Sequence, residues 1–231
     1  MRRRLLTLII AASMLTAACG GTASTITQGF PSAPVHPTPA EETFQGCPPS
    51  GDGGDRQLNL LKNRVDDGIT GVYTPVSLST LLSLTWPSSV NRRSRSDWSP
   101  QDAAAVSQYE NVAIQTTGYL IAIKHEGEES PNCHSTSSRD FHMWLAPSAK
   151  GLKAQSIVVE VTPRVRAMRS GWTDAALAAL VGRQIRVSGW TMLDQEHPEQ
   201  LNVYRATLWE IHPVMHIDVY EGGSWVRIDN G

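Results

Sequence analysis

The order of the predicted strands and helices in the second half of the chain most constrains its fold. Beyond residue 110, stretches rich in Val, Ile, Thr and aromatic residues are separated by turn-forming residues, a pattern typical of β-strands. One segment has a capping Thr, an acidic first turn and a terminal Gly, which indicates a helix. The predicted order is strand, strand, strand, helix, strand, strand. The five strands are Val112–Lys124, Asp140–Ala146, Ser156–Thr162, Gln184–Leu193 and Tyr204–Tyr220, of which the last is interrupted at Pro213, and the helix is Trp172–Val181.

The first predicted strand is long and contains Gly118 near its middle, which would let it curve through two halves of a barrel. Such a strand, with one helix between strands three and four, is typical of an OB-like barrel. We therefore predict a mainly β fold, a five-stranded OB-like barrel over residues 111–221, preceded by short helical segments. The alternative is an open α+β sheet, since strand patterns are local and closure of the barrel is not.

The N-terminus has the composition of an export signal. Three arginines precede the uncharged run Leu5–Ala18, which is shorter than the roughly 20 residues that span a bilayer. Cys19 follows Leu15-Thr16-Ala17-Ala18, which resembles the lipobox of bacterial lipoproteins. The resemblance implies a signal peptide over residues 1–18, a diacylated Cys19 and a protein held at a membrane surface of the cell envelope by its lipid. The alternative is an ordinary signal peptide cleaved near Ala18.

The rest of the chain divides by composition. Residues 19–43 are rich in Gly, Pro, Ser and Thr and predict a flexible tether after the lipidated Cys19. Residues 44–110 are predicted to be an extension packing on the barrel, with a helix capped by Ser99, and residues 222–231 a C-terminal tail. Arg92, Arg93 and Arg95 lie in a polar segment, which predicts a solvated loop; the alternative is a phosphate or lipid-headgroup contact.

Besides Cys19, the chain contains two cysteines, Cys47 and Cys133. Because an exported protein meets an oxidising compartment, we predict a disulfide between them. The alternatives are a reactive or metal-binding thiol at Cys133, or two free thiols.

The charge balance bears on the partners of the domain. The chain has 20 basic and 22 acidic residues, and loss of the signal peptide would remove three arginines. Nucleic-acid binding depends on Lys and Arg at phosphates, so the composition argues against a general nucleic-acid binder while leaving room for a local basic groove. The predicted partner is the membrane, through the lipid anchor; the composition does not identify a ligand.

Histidines and acids are concentrated at the predicted strand ends and loops. In an OB barrel the loop between strands one and two and the loop between strands four and five approach the same face. Imidazoles and carboxylates that meet there would suit Zn²⁺ or a similar divalent ion, which could activate water to hydrolyse a phosphoester. The predicted metal ligands are His134, His142, His197 and His212. The predicted catalytic carboxylates are Asp194 and Glu210.

Two other interpretations of these residues stay open. Asp140, His142, Glu210 and His212 could be hydrogen-bonded struts of a small barrel, since buried polar groups need partners. The domain could also be a non-enzymatic envelope module for a protein, glycan or oligonucleotide, with Trp144 as an aromatic platform. The sequence contains no nucleophile elbow, P-loop or dinucleotide fingerprint.

Three short motifs give the chain a resemblance. They are Asn132-Cys133-His134, Asp140-x-His142-x-Trp144 and Trp209-Glu210-Ile211-His212-Pro213, to which Leu58–Arg64 adds a fourth segment. Together they are similar to a family of uncharacterised exported bacterial proteins with an OB-like domain, over about residues 44–220. The resemblance implies export and one domain, and it implies no reaction.

Overall fold

A computed structural model describes residues 30–31, 42–65 and 72–230. The predicted signal peptide, the predicted lipidation site Cys19 and most of the predicted tether lie outside these residues. Within the described ranges, no helix has both the length and the apolar character needed to cross a bilayer.

The described residues form one sheet of seven strands, five of which close into a barrel. Its strands are β1 Thr74–Pro75, β2 Ala113–His125, β3 Phe141–Ala146, β4 Ile157–Val161, β5 Gln184–Leu193, β6 Trp209–Glu221 and β7 Ser224–Arg227. The barrel runs β2-β3-β4-β6-β5 and closes where β5 pairs with β2. β4 and β6 are parallel, and the other barrel pairs are antiparallel. The predicted OB-like barrel is confirmed, and the open-sheet alternative is wrong.

The last barrel strand differs from its prediction. It begins at Trp209, five residues later than the predicted start at Tyr204, and it continues through Pro213 without a break. The pairing with β5 shifts register on both sides of Gly189, which lies opposite Val214. A Cβ at Gly189 would lie 2.4 Å from the carbonyl oxygen of Pro213. The missing side chain therefore lets the two strands approach where the proline lies.

Five short α-helices occur in the described residues: α1 Arg56–Lys62, α2 Leu78–Leu82, α3 Pro100–Ser107, α4 Pro163–Arg166 and α5 Asp174–Ala178. The Ser99 side chain caps α3 by accepting a hydrogen bond from the Asp102 N–H, as its sequence predicts. α5 is shorter than its predicted range because Thr173 caps its start and the Leu180 and Val181 N–H groups donate to carbonyls three residues back, as in a turn. The connection from β4 to β5 also contains α4, so it has two helices where one was predicted. β7, which was not predicted, lies in the segment predicted as a tail.

The extension is attached to the barrel by covalent and ionic links. Cys47 and Cys133 form a disulfide that joins it to the loop between β2 and β3. Arg95 is buried, makes a paired contact of 2.7 Å with the Glu110 carboxylate within the extension, and donates a hydrogen bond of 2.8 Å to the Leu193 carbonyl on β5. The prediction of a solvated Arg95 is therefore wrong, because Glu110 supplies a buried counter-charge. Arg92 is exposed and contacts Glu199.

Candidate metal centre

A cluster of buried acids and imidazoles lies at the barrel end where the β2–β3 and β5–β6 loops meet. The sheet register places it: His142 on β3 lies opposite Glu160 on β4, and Glu210 on β6 pairs with Val158 on β4. Side chains on paired strands that face the same way become neighbours, so distant sequence positions meet here. We call this group the rim cluster, and its members are Glu126, Glu129, Asp140, His142, Glu160, Asp194, His197, Arg205, Glu210 and His212.

The deepest part of the rim cluster is an inner triad of Asp140, Glu160 and His212, whose ligand atoms lie within 4.8 Å of one another. The His212 Nε2 lies 3.8 Å from Asp140 Oδ2. The Glu160 Oε2 lies 3.4 Å from the other ring nitrogen of His212. None of His212 Nε2, Asp140 Oδ2 and Glu160 Oε2 has a hydrogen-bond partner in the described structure, although all three are buried. The triad therefore presents three orphaned polar atoms at one place.

A fourth carboxylate orients the imidazole of the inner triad. The Nδ1 of His212 lies 3.3 Å from Glu210 Oε2. If this nitrogen carries the proton and donates it to Glu210, then Nε2 keeps its lone pair on the side of Asp140. Burial, aided by the positive charge of Lys62, lowers the pKa of His212 well below its ordinary value, which favours the neutral ring.

An outer triad shares Glu160 with the inner one. The His142 Nδ1 lies 2.5 Å from Glu126 Oε1 and 3.1 Å from Glu160 Oε1. Its other ring nitrogen, Nε2, is buried without a partner. A cavity of about 30 Å³ opens beside these three residues and is bounded also by Lys62 and Arg205. That volume corresponds to about one water molecule or one ion.

The two predicted catalytic carboxylates are instead bonded to an arginine. Arg205 donates hydrogen bonds to Asp194, at 2.8 Å, and to Glu210, at 2.7 Å. Burial opposes ionisation of Asp194, but hydrogen bonding from His197 and the charge of Arg205 lower its pKa. The same hydrogen bond raises the pKa of His197 to about 9. Asp194, His197 and Arg205 therefore form an ion network that supports the β5–β6 loop.

The two carboxyl groups of the inner triad have the opposite electrostatic environment. Burial, together with the nearby charges of Glu160 and Glu129, raises the pKa of Asp140 well above its ordinary value. Burial and the charge of Glu210 do the same for Glu160. Lys62 at the end of α1 lies 4.0 Å from Glu129, and although burial opposes it, the surrounding carboxylates raise the pKa of Lys62. The inner triad is thus short of positive charge.

The structure places the four predicted metal ligands at four different positions. His142 and His212 each belong to a triad, whereas His197 contacts Asp194. His134 is exposed, and its ring nitrogens lie 3.1 Å and 3.0 Å from the backbone carbonyl oxygens of Glu128 and Asp52. Because both nitrogens are engaged by backbone, His134 is not placed as a ligand.

The β2–β3 loop still reaches the site, but through other residues than His134. Glu126 and Glu129 line the cavity, and the Asn132 side chain donates to Asp140 Oδ1 at 3.0 Å. The available sequence signal was an acid surrounded by aliphatic residues: Glu160 stands between Val159 and Val161 in a fully buried strand. The site residues absent from the predicted ligand set are Lys62, Glu126, Glu129, Asp140, Glu160 and Arg205.

Comparison with known proteins adds little. No protein-family model matches the chain, and no curated protein sequence matches it. Among solved structures, the chain is similar to the crystal structure of yeast Stn1 and Ten1, with 13% sequence identity and a TM-score of 0.34. The match covers 66% of this chain and 65% of that chain, just under two thirds of it. At this TM-score, no property of those proteins extends to this chain, whose OB-like character follows from its own strand order.

Proposed function

We propose that the barrel is a metal-binding module that holds a divalent transition-metal ion at Asp140, Glu160 and His212. The observation that carries the proposal is the set of three orphaned atoms, Oδ2, Oε2 and Nε2, one from each residue. A buried polar atom without a partner costs about 1–3 kcal/mol, so three at one point call for a bound group. An ion coordinated by all three would supply what each of them lacks.

The chemistry of the donors suits such an ion. One imidazole and two carboxylates are ligands for Zn²⁺, Mn²⁺ or Fe²⁺. The contact between His212 Nδ1 and Glu210 is the arrangement in which a second carboxylate fixes the tautomer of a metal-binding histidine. The separation of 3.8 Å between His212 Nε2 and Asp140 Oδ2 is close to the roughly 3.4 Å expected between two ligands about 2.1 Å from a tetrahedral ion.

The proposal concerns binding and does not include turnover. The support for the proposal is a set of ligand atoms and a cavity of about 30 Å³ beside the outer triad that accommodates an ion or a water molecule. Hydrolysis of a phosphoester therefore stays a prediction from the sequence, as does binding of a protein, glycan or oligonucleotide.

We also propose that the module works in the cell envelope, tethered through a lipidated Cys19. The support is the signal-like N-terminus and the lipobox resemblance, which lie outside the described residues. The disulfide between Cys47 and Cys133 is consistent with an oxidising compartment.

Metal analysis of the untagged full-length chain tests the metal proposal. After exposure to Zn²⁺ or Mn²⁺ and removal of loosely held ions, we expect at least one equivalent of metal. Asp140→Asn and His212→Ala should each bind one equivalent less than the wild-type protein, while His134→Ala, which changes a histidine outside both triads, should bind as much as the wild type. Circular dichroism would establish that each variant is folded. Less than about a tenth of an equivalent in the wild-type protein would contradict the proposal.

A further inference from the structure

The Glu160 carboxylate lies between the two triads and offers one oxygen to each. Its Oε1 is 3.1 Å from His142 Nδ1 in the outer triad. Its Oε2 is 3.4 Å from His212 Nδ1 in the inner triad and has no hydrogen-bond partner in the described structure. Because each oxygen faces the imidazole of a different triad, the carboxylate is placed to give one oxygen to each of two ions.

We infer that the site, if the proposed function is right, is a dinuclear divalent-metal centre in which Glu160 bridges two ions. The inner ion is held by Asp140 and His212, and the outer ion by Glu126 and His142. A bridge of this kind fits ions about 3.5–4 Å apart, the usual spacing of two-metal sites. The ligand class is again divalent transition metals, because each half offers one imidazole and carboxylate oxygens.

The cationic side chains around the two triads differ. Arg205 is bonded to Asp194 and Glu210, and Lys62 lies 4.0 Å from Glu129 and Glu196. Both of these cationic side chains are thus engaged with carboxylates outside the inner triad. Glu126 of the outer triad has the ammonium group of Lys124 at 3.0 Å, and because that side chain is largely exposed, an ion at the outer triad could displace it into solvent.

The burial of the two triads gives them different roles. Asp140 and His212 are essentially inaccessible to solvent, whereas the Glu126 side chain is 14% exposed and borders the cavity. An ion arriving from solvent therefore meets the outer triad first. The buried half should hold its ion more tightly, and the outer half should exchange its ion faster.

Titration of the metal-free full-length chain with Co²⁺ and Mn²⁺ tests this inference. We expect two Co²⁺ ions per chain by equilibrium dialysis, and an electron paramagnetic resonance spectrum of the Mn²⁺ form that shows two coupled ions. Glu126→Gln and Asp140→Asn should each reduce the stoichiometry from two to one. Glu160→Gln should abolish the coupling. Glu128→Gln, which changes an exposed carboxylate of the same loop, should retain both ions.

The outcomes separate the two proposals. One ion per chain, unchanged by Glu126→Gln but lost in Asp140→Asn, would overturn the dinuclear centre and keep the inner metal site. Two ions without magnetic coupling, or two ions insensitive to both substitutions, would also overturn it. No bound ion at all would overturn both proposals. The spectrum of the wild-type Mn²⁺ form needs no variant, so a substitution that prevents folding would not remove the test.

Discussion

The barrel has two groups of buried carboxylates with very different surroundings. One group belongs to the rim cluster. The other group lies beside the β6–β7 hairpin, and with its basic partners it forms what we call the hairpin cluster: Arg186, His216, Asp218, Arg227 and Asp229. Asp218 accepts hydrogen bonds from the Nε of Arg186, at 3.0 Å, and of Arg227, at 2.6 Å. Asp229 accepts from His216 and from the backbone N–H of Ile217.

The carboxylates of both clusters are buried, so burial does not distinguish them. The difference is whether a positively charged side chain is bonded to the carboxylate. Burial would raise the pKa of Asp218, but the bonds from Arg227 and Arg186 lower it instead. Burial without comparable partners raises the pKa of Asp140 and of Glu160. A buried carboxylate with its own arginine is therefore part of the framework. A buried carboxylate with an orphaned oxygen is a candidate to bind a cation.

The largest expected change in stability comes from comparing the removal of one arginine in each cluster. Arg205→Met leaves Asp194 and Glu210 buried without their counter-charge and should reduce the free energy of unfolding by about 3–5 kcal/mol. Arg227→Met, whose side chain is 44% exposed, should cost about 1 kcal/mol or less. Urea denaturation measures both. Equal losses would mean that burial does not separate the two networks.

Metal binding should stabilise the protein through the rim cluster alone. A free metal concentration of 100 times the dissociation constant should raise the free energy of unfolding by about 2.7 kcal/mol. Asp140→Asn should reduce this gain by removing the inner ion, and the matched variant Asp218→Asn should keep it in full. Denaturation with and without metal measures the gain, and an undiminished gain in Asp140→Asn would contradict the assignment.

Replacing an acid by its amide in the metal-free protein should change stability in opposite directions in the two clusters. Glu160→Gln removes a carboxyl group whose ionisation burial disfavours, and should raise stability at neutral pH by about 1 kcal/mol. Asp218→Asn removes the acceptor of charged hydrogen bonds and should lower stability by about 1–3 kcal/mol. Thermal unfolding of both variants in chelator gives the comparison. A loss of stability in Glu160→Gln would indicate that this carboxylate already has adequate partners.

The smallest expected effect is a pH dependence from His197. Its pKa is raised to about 9 in the folded protein, above the unfolded value of about 6.5. The folded state therefore binds the proton more tightly than the unfolded state. The contribution of His197 to the free energy of unfolding has its full value below about pH 6.5 and disappears as the pH rises through 9. His197→Gln should thus be less stable than wild type at pH 6 and equal to it near pH 10. A constant difference across this range would contradict the ion pair with Asp194.

The fold was largely predictable because its determinants are local. Four of the five barrel strands lie within a residue of their predicted ends, since alternating β-branched residues mark them directly. The long first strand and the single helix after strand three indicated closure. β1 and β7 were missed because β1 has two residues and β7 depends on pairing with the end of β6.

The site was less predictable than the fold. Whether an acid is available to bind a metal depends on whether a basic side chain is already bonded to it. The sequence indicated that the two loops converge, and it placed His142 and His212 on strands facing the site. It did not show that Arg205, just before β6, would bond Asp194 and Glu210, the acids predicted to be catalytic. Nor did it show that the Glu128 and Asp52 carbonyls would engage His134. These pairings are long-range geometry, which residue spacing does not encode.

Anomalous diffraction from crystals grown with Zn²⁺ or Mn²⁺, recorded at the absorption edge of the metal, tests the central claim most directly. The account predicts a peak about 2.0–2.2 Å from each of Asp140 Oδ2, Glu160 Oε2 and His212 Nε2. Electron density for a water molecule at that point under saturating metal, with no anomalous signal, would contradict it.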